Sequence, residues 1–413
     1  MPAVSPPLRD RLGALQERDF RLLFTATTIT TLGDAVAGIA LAFAVLDLTH
    51  SATDLGIVIA VRQAVNTGTV LLGGVVGDRL PRSLVLVVAS LVQGLAQTAT
   101  AGLILSGGAT IAWLVGLQAL YGAGDGFVLP AEVGLIPQTV SGERLQQANA
   151  LQGLTRNVVF VLGPALGGIL VVAGSPGVAL AIDAASFFVA ALVLWLIRIP
   201  QRAAVTATGF FHELREGWRE FVSRTWLWST VLVFGIGNVF FMFWSVLGPT
   251  VLRHHPLSWA VIASAAGGGA IVGGLVAIRY RPARPLVACI VTPIPYALKF
   301  IALAFHAPIW LVAVASFCGG IGLAIHLALW FTILQREVPE HAQSRVSSYD
   351  ALGSFVLIPV GTALAGPVAL AAGVDHALLI AAGAIVISCL GMLLIPSVWT
   401  IHGREVTTTM AAA

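Results

Sequence analysis

Long apolar runs alternate with short polar breaks along the whole chain. A helix needs about 20 predominantly apolar residues to cross a hydrocarbon core. Runs of that kind predict spans near 20–46, 54–78, 83–105, 110–136, 146–172 and 177–198, then near 226–251, 257–279, 285–305, 308–334, 345–371 and 376–398. Between the two sets lies "FFHELREGWREFVSR", where Phe211, Leu214, Trp218 and Phe221 recur at helical spacing with charges between them. That pattern predicts an amphipathic helix at the membrane interface. The expectation is an all-α integral membrane protein with 12 transmembrane helices in two pseudo-symmetric six-helix bundles, 20–198 and 226–398. A cytoplasmic amphipathic linker (199–225) joins them, and cytoplasmic tails (1–19 and 399–413) flank them.

Charge placement sets the direction. With both termini in the cytoplasm, all but four of the 22 basic residues lie in cytoplasmic segments. Three of the four (Arg62, Arg156, Lys299) fall inside spans and only Arg253 faces outward. The reverse orientation would violate the positive-inside rule throughout. The first nineteen residues carry Arg9, Asp10, Arg11, Glu17, Arg18 and Asp19, with no cleavable apolar core, so no signal peptide is expected ahead of span 1.

The halves echo each other. "GGVVGDRLPRSLV" after span 2 aligns with "GGLVAIRYRPARPLV" after span 8, and "GPALGG" from Gly163 aligns with "GTALAG" from Gly361. "GDAVAGIAL" in span 1 has a weaker echo in "GNVFFMFWS" in span 7, which sets Asp34 against Asn238. Repeats with an even number of spans run parallel about an axis along the membrane normal, an architecture that puts a substrate cavity near the midplane between halves.

Composition excludes several classes. Only 10% of the 413 residues are charged, 57% are hydrophobic and mean hydropathy is +0.92, whereas soluble domains carry about 25% charged residues. A net charge of +3 is too small and too scattered for a nucleic-acid footprint. Cys289, Cys318 and Cys389 sit in apolar runs without paired spacing, which implies neither disulfides nor a metal site. No phosphate loop, HExxH helix or GxSxG elbow occurs, so neither an enzyme nor a cofactor is expected.

One short turn concentrates charge. In Gly74-x-x-x-Asp78-Arg79-x-x-Arg82, glycine lets a neighbouring helix approach, Asp78 can cap the turn or pair across the bundle, and both arginines reach headgroup level. As topology charges alone they would look the same. The order resembles the loop between spans 2 and 3 of the major facilitator superfamily, and the resemblance implies a conformational latch that holds the outward-facing state. Pro81 stands where the family usually has glycine and Ser83 where it often has a base. Ile278 replaces the acid in the second copy, so the latch is expected to be single-sided. In span 5, "VLGPALGG" is similar to the superfamily's antiporter signature through Gly163, Pro164, Gly167 and Gly168. Physically these residues thin and bend the helix, and a plain packing patch would use them too. "IPQTVSGERLQQANAL", "AIDAASF" and "ELREGWREFVSRTWL" extend the resemblance to the drug-exporting branch that includes macrolide efflux proteins, enterobactin exporters and actinobacterial multidrug pumps.

Ionisable residues deep in a span are costly and therefore functional candidates. Asp34, Arg62, Asp125, Arg156 and Asp183 lie within first-half spans, against Lys299 and His326 in the second half. Depth along the helices, at about 1.5 Å per residue, brings Asp34 within reach of Arg62 and sets Asp125 level with Arg156. Two acid–base pairs are expected, or one mixed cluster across spans 1, 2, 4 and 5. Such a carboxyl can exchange protons as its surroundings rock; a static bridge would hold helices together instead. Glu132, beside Pro130 near the inner end of span 4, is a candidate gate or proton exit, and Asp183 a structural hydrogen-bonding residue. Asp350 is expected near cytoplasmic water and Arg345. Candidates for a substrate cavity are Asn66, Phe240, Trp244, Lys299, His326 and Trp330.

The expected function is proton-coupled efflux of amphipathic drug-like, antibiotic or siderophore-like small molecules across a bacterial cytoplasmic membrane, by a monomer whose partners are substrate, protons and lipid. An importer or facilitator of a natural metabolite, or a transport-inactive sensor with the same fold, would fit much of the same pattern.

Overall fold

The structure, a computed structural model, describes residues 13–198 and 218–401, with residues 71–79, 340, 341, 344 and 345 described through their backbone alone. Among the described residues there is no strand. The first six helices are α1 (Arg18–Thr49), α2 (Ala52–Arg79), α3 (Arg82–Leu105), α4 (Ile111–Thr139), α5 (Leu145–Ala173) and α6 (Pro176–Trp195). Their ends fall within about three residues of the runs read from sequence, because the polar breaks carry the terminators. His50, at φ 55°, closes α1 by donating its N–H to Leu46. The Thr110 and Ser175 side chains cap α4 and α6, the latter with Pro176 in the first turn.

The later spans are jointed where unbroken runs were expected. Span 7 is α7 (Thr225–Phe241) and α8 (Phe243–Val251), interrupted at Met242. Span 8 is α9 (Pro256–Arg279). Span 9 is α10 (Pro285–Val291), a 3-10 turn at Ile294–Tyr296 and α11 (Ala297–Ala304). Pro293 and Pro295 each remove a backbone donor at that join. Then come α12 (Ile309–Glu337), α13 (Glu340–Phe355), α14 (Ile358–Ala372) and α15 (Val374–Met392). Eleven segments of the described residues are long and apolar enough to cross a membrane. The 28-residue α2 occupies the position of the second predicted span.

The chain divides into two compact units, Met1–Thr206 with Ser245–Ser264 and Thr362–Leu370, and Ala207–Trp244 with Ala265–Gly361 and Ala371–Ala413. In unit 1, α1 packs along α5 and α6, α2 along α4, and α3 along α4 and α6. Phe20, Leu23, Leu86, Leu135 and Leu194 form its core. Gly122 and Gly126 of α4 lie so close to the Arg62 and Asn66 carbonyls of α2 that neither position has room for a Cβ. In the same unit the Thr362 hydroxyl donates to Gln63 at 2.8 Å.

In unit 2, α7 packs on α13 and α15, and α12 on α10 and α11. Trp226, Leu227, Leu286, Ile333 and Met392 are buried together there. Phe221, from the expected linker helix, joins this core, and Trp218 sits edge-on to Tyr349 at 5.4 Å. Phe211 and Leu214 lie outside the described residues, as do most of both tails. Large apolar side chains such as Leu192, Trp195, Leu275, Leu370 and Leu394 stand exposed, as lipid-facing residues do.

The internal echo has a structural counterpart. Gly163 packs on Ala35, next to Asp34, and Gly361 packs on Val239, next to Asn238. Each unit thus seats a glycine of the repeated G-x-A-L-x-G motif against the residue after the paired Asp34 and Asn238 positions. In unit 2 that position is neutral, and the Asn238 amide donates to the Ser354 carbonyl at 2.8 Å.

Candidate functional site: a carboxylate network in unit 1

Two facing helices build the site by the same spacing. On α2, Arg62 and Asn66 stand four residues apart, and on α4 so do Tyr121 and Asp125, which places each pair on one helix face. Gly122 and Gly126 draw the two faces together. Asp34 of α1 completes the group. Its carboxylate accepts a hydrogen bond from the buried Tyr121 hydroxyl and lies 3.7 Å from the Arg62 guanidinium. That guanidinium sits 4.0 Å from the centre of the Tyr121 ring, so the ring face and the carboxylate share the cation. Tyr121 is held edge-on by Phe187 at 5.7 Å. Asp125 accepts from the Asn66 amide at 2.8 Å.

Asp34 and Asp125 both line a cavity of about 40 Å³, which Thr27, Thr30, Ser90 and Gln93 also edge. That is room for a few water molecules, with hydroxyl and amide partners for them. Charge and space therefore meet at Asp34. Taking up or losing one proton there changes the formal charge on the cavity wall by one.

The expected Asp34–Arg62 pair is present. The expected Asp125–Arg156 pair is not. Arg156 instead donates to Glu132 at 3.0 Å, two turns further along α4 than Asp125. Depth from the helix ends fixed the level of Asp125 but not its facing neighbour. The glycine face of α4 turns Asp125 toward α2, and the long Arg156 side chain, half exposed, reaches along the helix to the nearly buried Glu132. Glu132 thus has a cation partner.

Asp183 has the hydrogen-bonding surroundings expected of it. Fully buried on α6, it accepts from Gln97 at 2.6 Å, and Gln97 accepts from Gln118 at 3.4 Å. Its carboxylate also packs against Gly33, where a Cβ would collide with it. The span 5 motif is a seat for α1, with Gly163 on Ala35 and Gly167 on Ile39, while Gly168 meets Ala260. Of the latch, the side chains of Gly74, Asp78 and Arg79 lie outside the described residues, whereas Arg82 lies over Gly134 of α4.

In unit 2, Trp330 donates to Asp350 at 3.0 Å and meets the rings of Trp226 and Phe234. Asp350 is buried, against the expected contact with water, and the Arg345 side chain is outside the described residues. His326 Nδ1 lies 2.8 Å from the Cys289 carbonyl, and its ring stands edge-on to Phe234. Trp330 belongs to the buried core of unit 2, and His326 is partly buried. Phe240 packs on Phe243 at 5.6 Å, and Lys299 is enclosed by aromatic rings. Tyr121 went unnoticed as a site residue in the sequence. Its signal is the i, i+4 spacing to Asp125, with glycines at the following positions.

Apolar spanning helices in two units, with a carboxylate network beside a small, mainly apolar cavity inside one of them, mark a multi-pass membrane protein. The chain belongs to the Major Facilitator Superfamily, whose family model matches residues 23–362. The multidrug efflux pump Tap of Mycolicibacterium fortuitum is 27% identical over 382 residues, covering 87% of this chain and 91% of that protein. The enterobactin exporter EntS of Salmonella typhi is 27% identical over 373 residues, covering 85% and 87%. A bacterial homologue of the human lysosomal transporter Spinster, solved inward-facing and unoccupied, superposes with TM-score 0.71 at 16% identity, covering 97% of this chain and 100% of that one. The nucleoside transporter NupG superposes with TM-score 0.67 at 13% identity, covering 90% and 98%. The two structures share the fold. The protein is a multi-pass superfamily transporter with efflux-pump relatives.

Proposed function

We propose that this transporter exports amphipathic drug-like, antibiotic or siderophore-like molecules from a bacterial cytoplasm in exchange for protons. It works as a monomer with twelve spans and both termini inside. The observation that carries this reading is Asp34, held between the Tyr121 hydroxyl and the Arg62 guanidinium at the wall of a small cavity. A proton entering from outside neutralises Asp34 and releases its hold on Arg62, and rocking of the bundle then exposes the acid to the cytoplasm, where the proton leaves. Substrate moves on the opposite stroke. The efflux roles named for Tap and EntS support the direction. The packing of Gly163 and Gly167 on α1 supports a bending point beside the acid.

Everted vesicles from a deletion strain test it, with a panel of antibiotics and dyes and an imposed acid-inside gradient. Wild type is expected to accumulate at least one compound, and Asp34→Asn to lose that accumulation by tenfold or more. Equal accumulation by both would remove the acid from the coupling, and equilibration without a gradient would make the protein a facilitator.

A further inference from the structure

Lys299 is the only lysine in the chain and is 2% exposed. Among the described residues no carboxylate pairs with it. Its ammonium lies 3.3 Å from the centre of the Tyr296 ring, 4.3 Å from Trp244 and 5.9 Å from both Phe241 and Phe300. The Tyr296 and Phe241 rings stack at 3.8 Å, and Trp244 meets Phe300 edge-on at 5.2 Å. Ring faces attract a cation by about 2 kcal/mol when it is desolvated. Removing an ion from water costs several kcal/mol even after relaxation. The rings offset only part of that cost, so the charged form of Lys299 needs an anion beside it, and a ligand that brings an acidic group supplies one.

The walls of this enclosure stand at two joints of unit 2, those of spans 7 and 9. Phe241 ends α7 and Trp244 is the second residue of α8, across the interruption at Met242. Tyr296 ends the 3-10 turn that precedes α11, and Lys299 and Phe300 lie in the first turn of α11. Irregular backbone at membrane depth is tolerated where it is buried in protein or lines a cavity. Broken helices supply the substrate and ion sites of many carriers. Joints on both sides let the rings part without melting either span.

We propose that Lys299 with Phe241, Trp244, Tyr296 and Phe300 forms a subsite for an aromatic ligand bearing an acidic group. The ammonium takes the carboxylate, phenolate or sulfonate and the rings take the aromatic body. This rests on the transporter reading and narrows its substrate class to amphipathic anions. Unit 1 handles the proton and unit 2 the charge of the cargo.

The test is equilibrium binding to the full-length protein in nanodiscs with no gradient, so that it stands apart from the flux experiment on Asp34. The probes are 2-naphthoate and, as a cation of similar shape, (2-naphthylmethyl)trimethylammonium. Naphthoate is expected to bind wild type, and its Kd to rise at least tenfold in Lys299→Met. Should Lys299→Met fail to fold, Tyr296→Leu keeps the charge, removes the nearest ring and is expected to weaken naphthoate at least fivefold. The proposal is overturned if wild type does not bind naphthoate, or if either folded variant binds it like wild type. It is also overturned if Lys299→Met takes up the cation probe while keeping naphthoate affinity, which would make the enclosure a cation site filled by its own lysine.

Discussion

Gly163→Ala is the most direct probe of how span 5 serves the acid. A Cβ at Gly163 would strike the Ala35 Cβ, whereas the Ala35 Cα lies at 3.5 Å, an ordinary contact. The clash is therefore with one methyl group on the residue beside Asp34. Forcing an extra methyl into a packed helix seam costs about 1–3 kcal/mol. At roughly 2 °C per kcal/mol for a chain of this size or larger, the melting temperature should fall by about 2–6 °C. Relief by moving α1 would also open the 3.7 Å contact between Asp34 and Arg62, so transport should fall with stability. Ala35→Gly removes the struck methyl at a helix-propensity cost of about 0.5–1 kcal/mol. The double variant should therefore regain both transport and melting temperature, with a coupling of about 1–2 kcal/mol. Unit 2 supplies the control. At Gly361 the obstacle is the Val239 backbone, so trimming Val239 to alanine should not rescue Gly361→Ala. Melting curves in detergent and vesicle flux measure all six proteins. Simple additivity of Gly163→Ala and Ala35→Gly would refute the seat.

Two further outcomes follow from the same geometry. Arg156→Ala leaves the nearly buried Glu132 without its cation and should lower stability by about 1–2 kcal/mol, reduced by the exposure of Arg156. Glu132→Gln should restore most of that loss and Asp125→Asn none of it, as thermal melts of the double variants will report. Tyr121→Phe keeps the ring under Arg62 and against Phe187 but removes the hydroxyl that Asp34 accepts from. A hydrogen bond to a charged group is worth about 1.5–3 kcal/mol, so at roughly 2 °C per kcal/mol the melting temperature should fall by about 3–6 °C, and coupled flux should drop with it. Unchanged flux would separate the hydroxyl from coupling.

The sequence reveals what depends on length and polarity. Spans of about 20 apolar residues are imposed by the bilayer, so the first six helices are readable to within a turn. The Asp34–Arg62 pair is readable because both residues sit at a countable depth on adjacent spans. Facing is what the sequence withholds. Asp125 and Arg156 share a level, yet the glycines at 122 and 126 turn the acid to Asn66 on another helix. The interruption at Met242 carries no proline to announce it, and although Pro293 and Pro295 are plain in the sequence, an apolar run across them still counts as one span. The rings around Lys299 are scattered over two spans, and only the fold gathers them.

The matched glycine seats have a consequence for how such a carrier changes over time. A duplicated scaffold can keep its shape in both copies while only one keeps an acid, because the glycine seats meet Ala35 and Val239, the residues after the acid position, and not the acid position itself. On the proposed reading, the energy supply is then tied to one copy and the other is free to drift toward new cargo. Selectivity could be rewritten around positions 241–300 without retuning the engine.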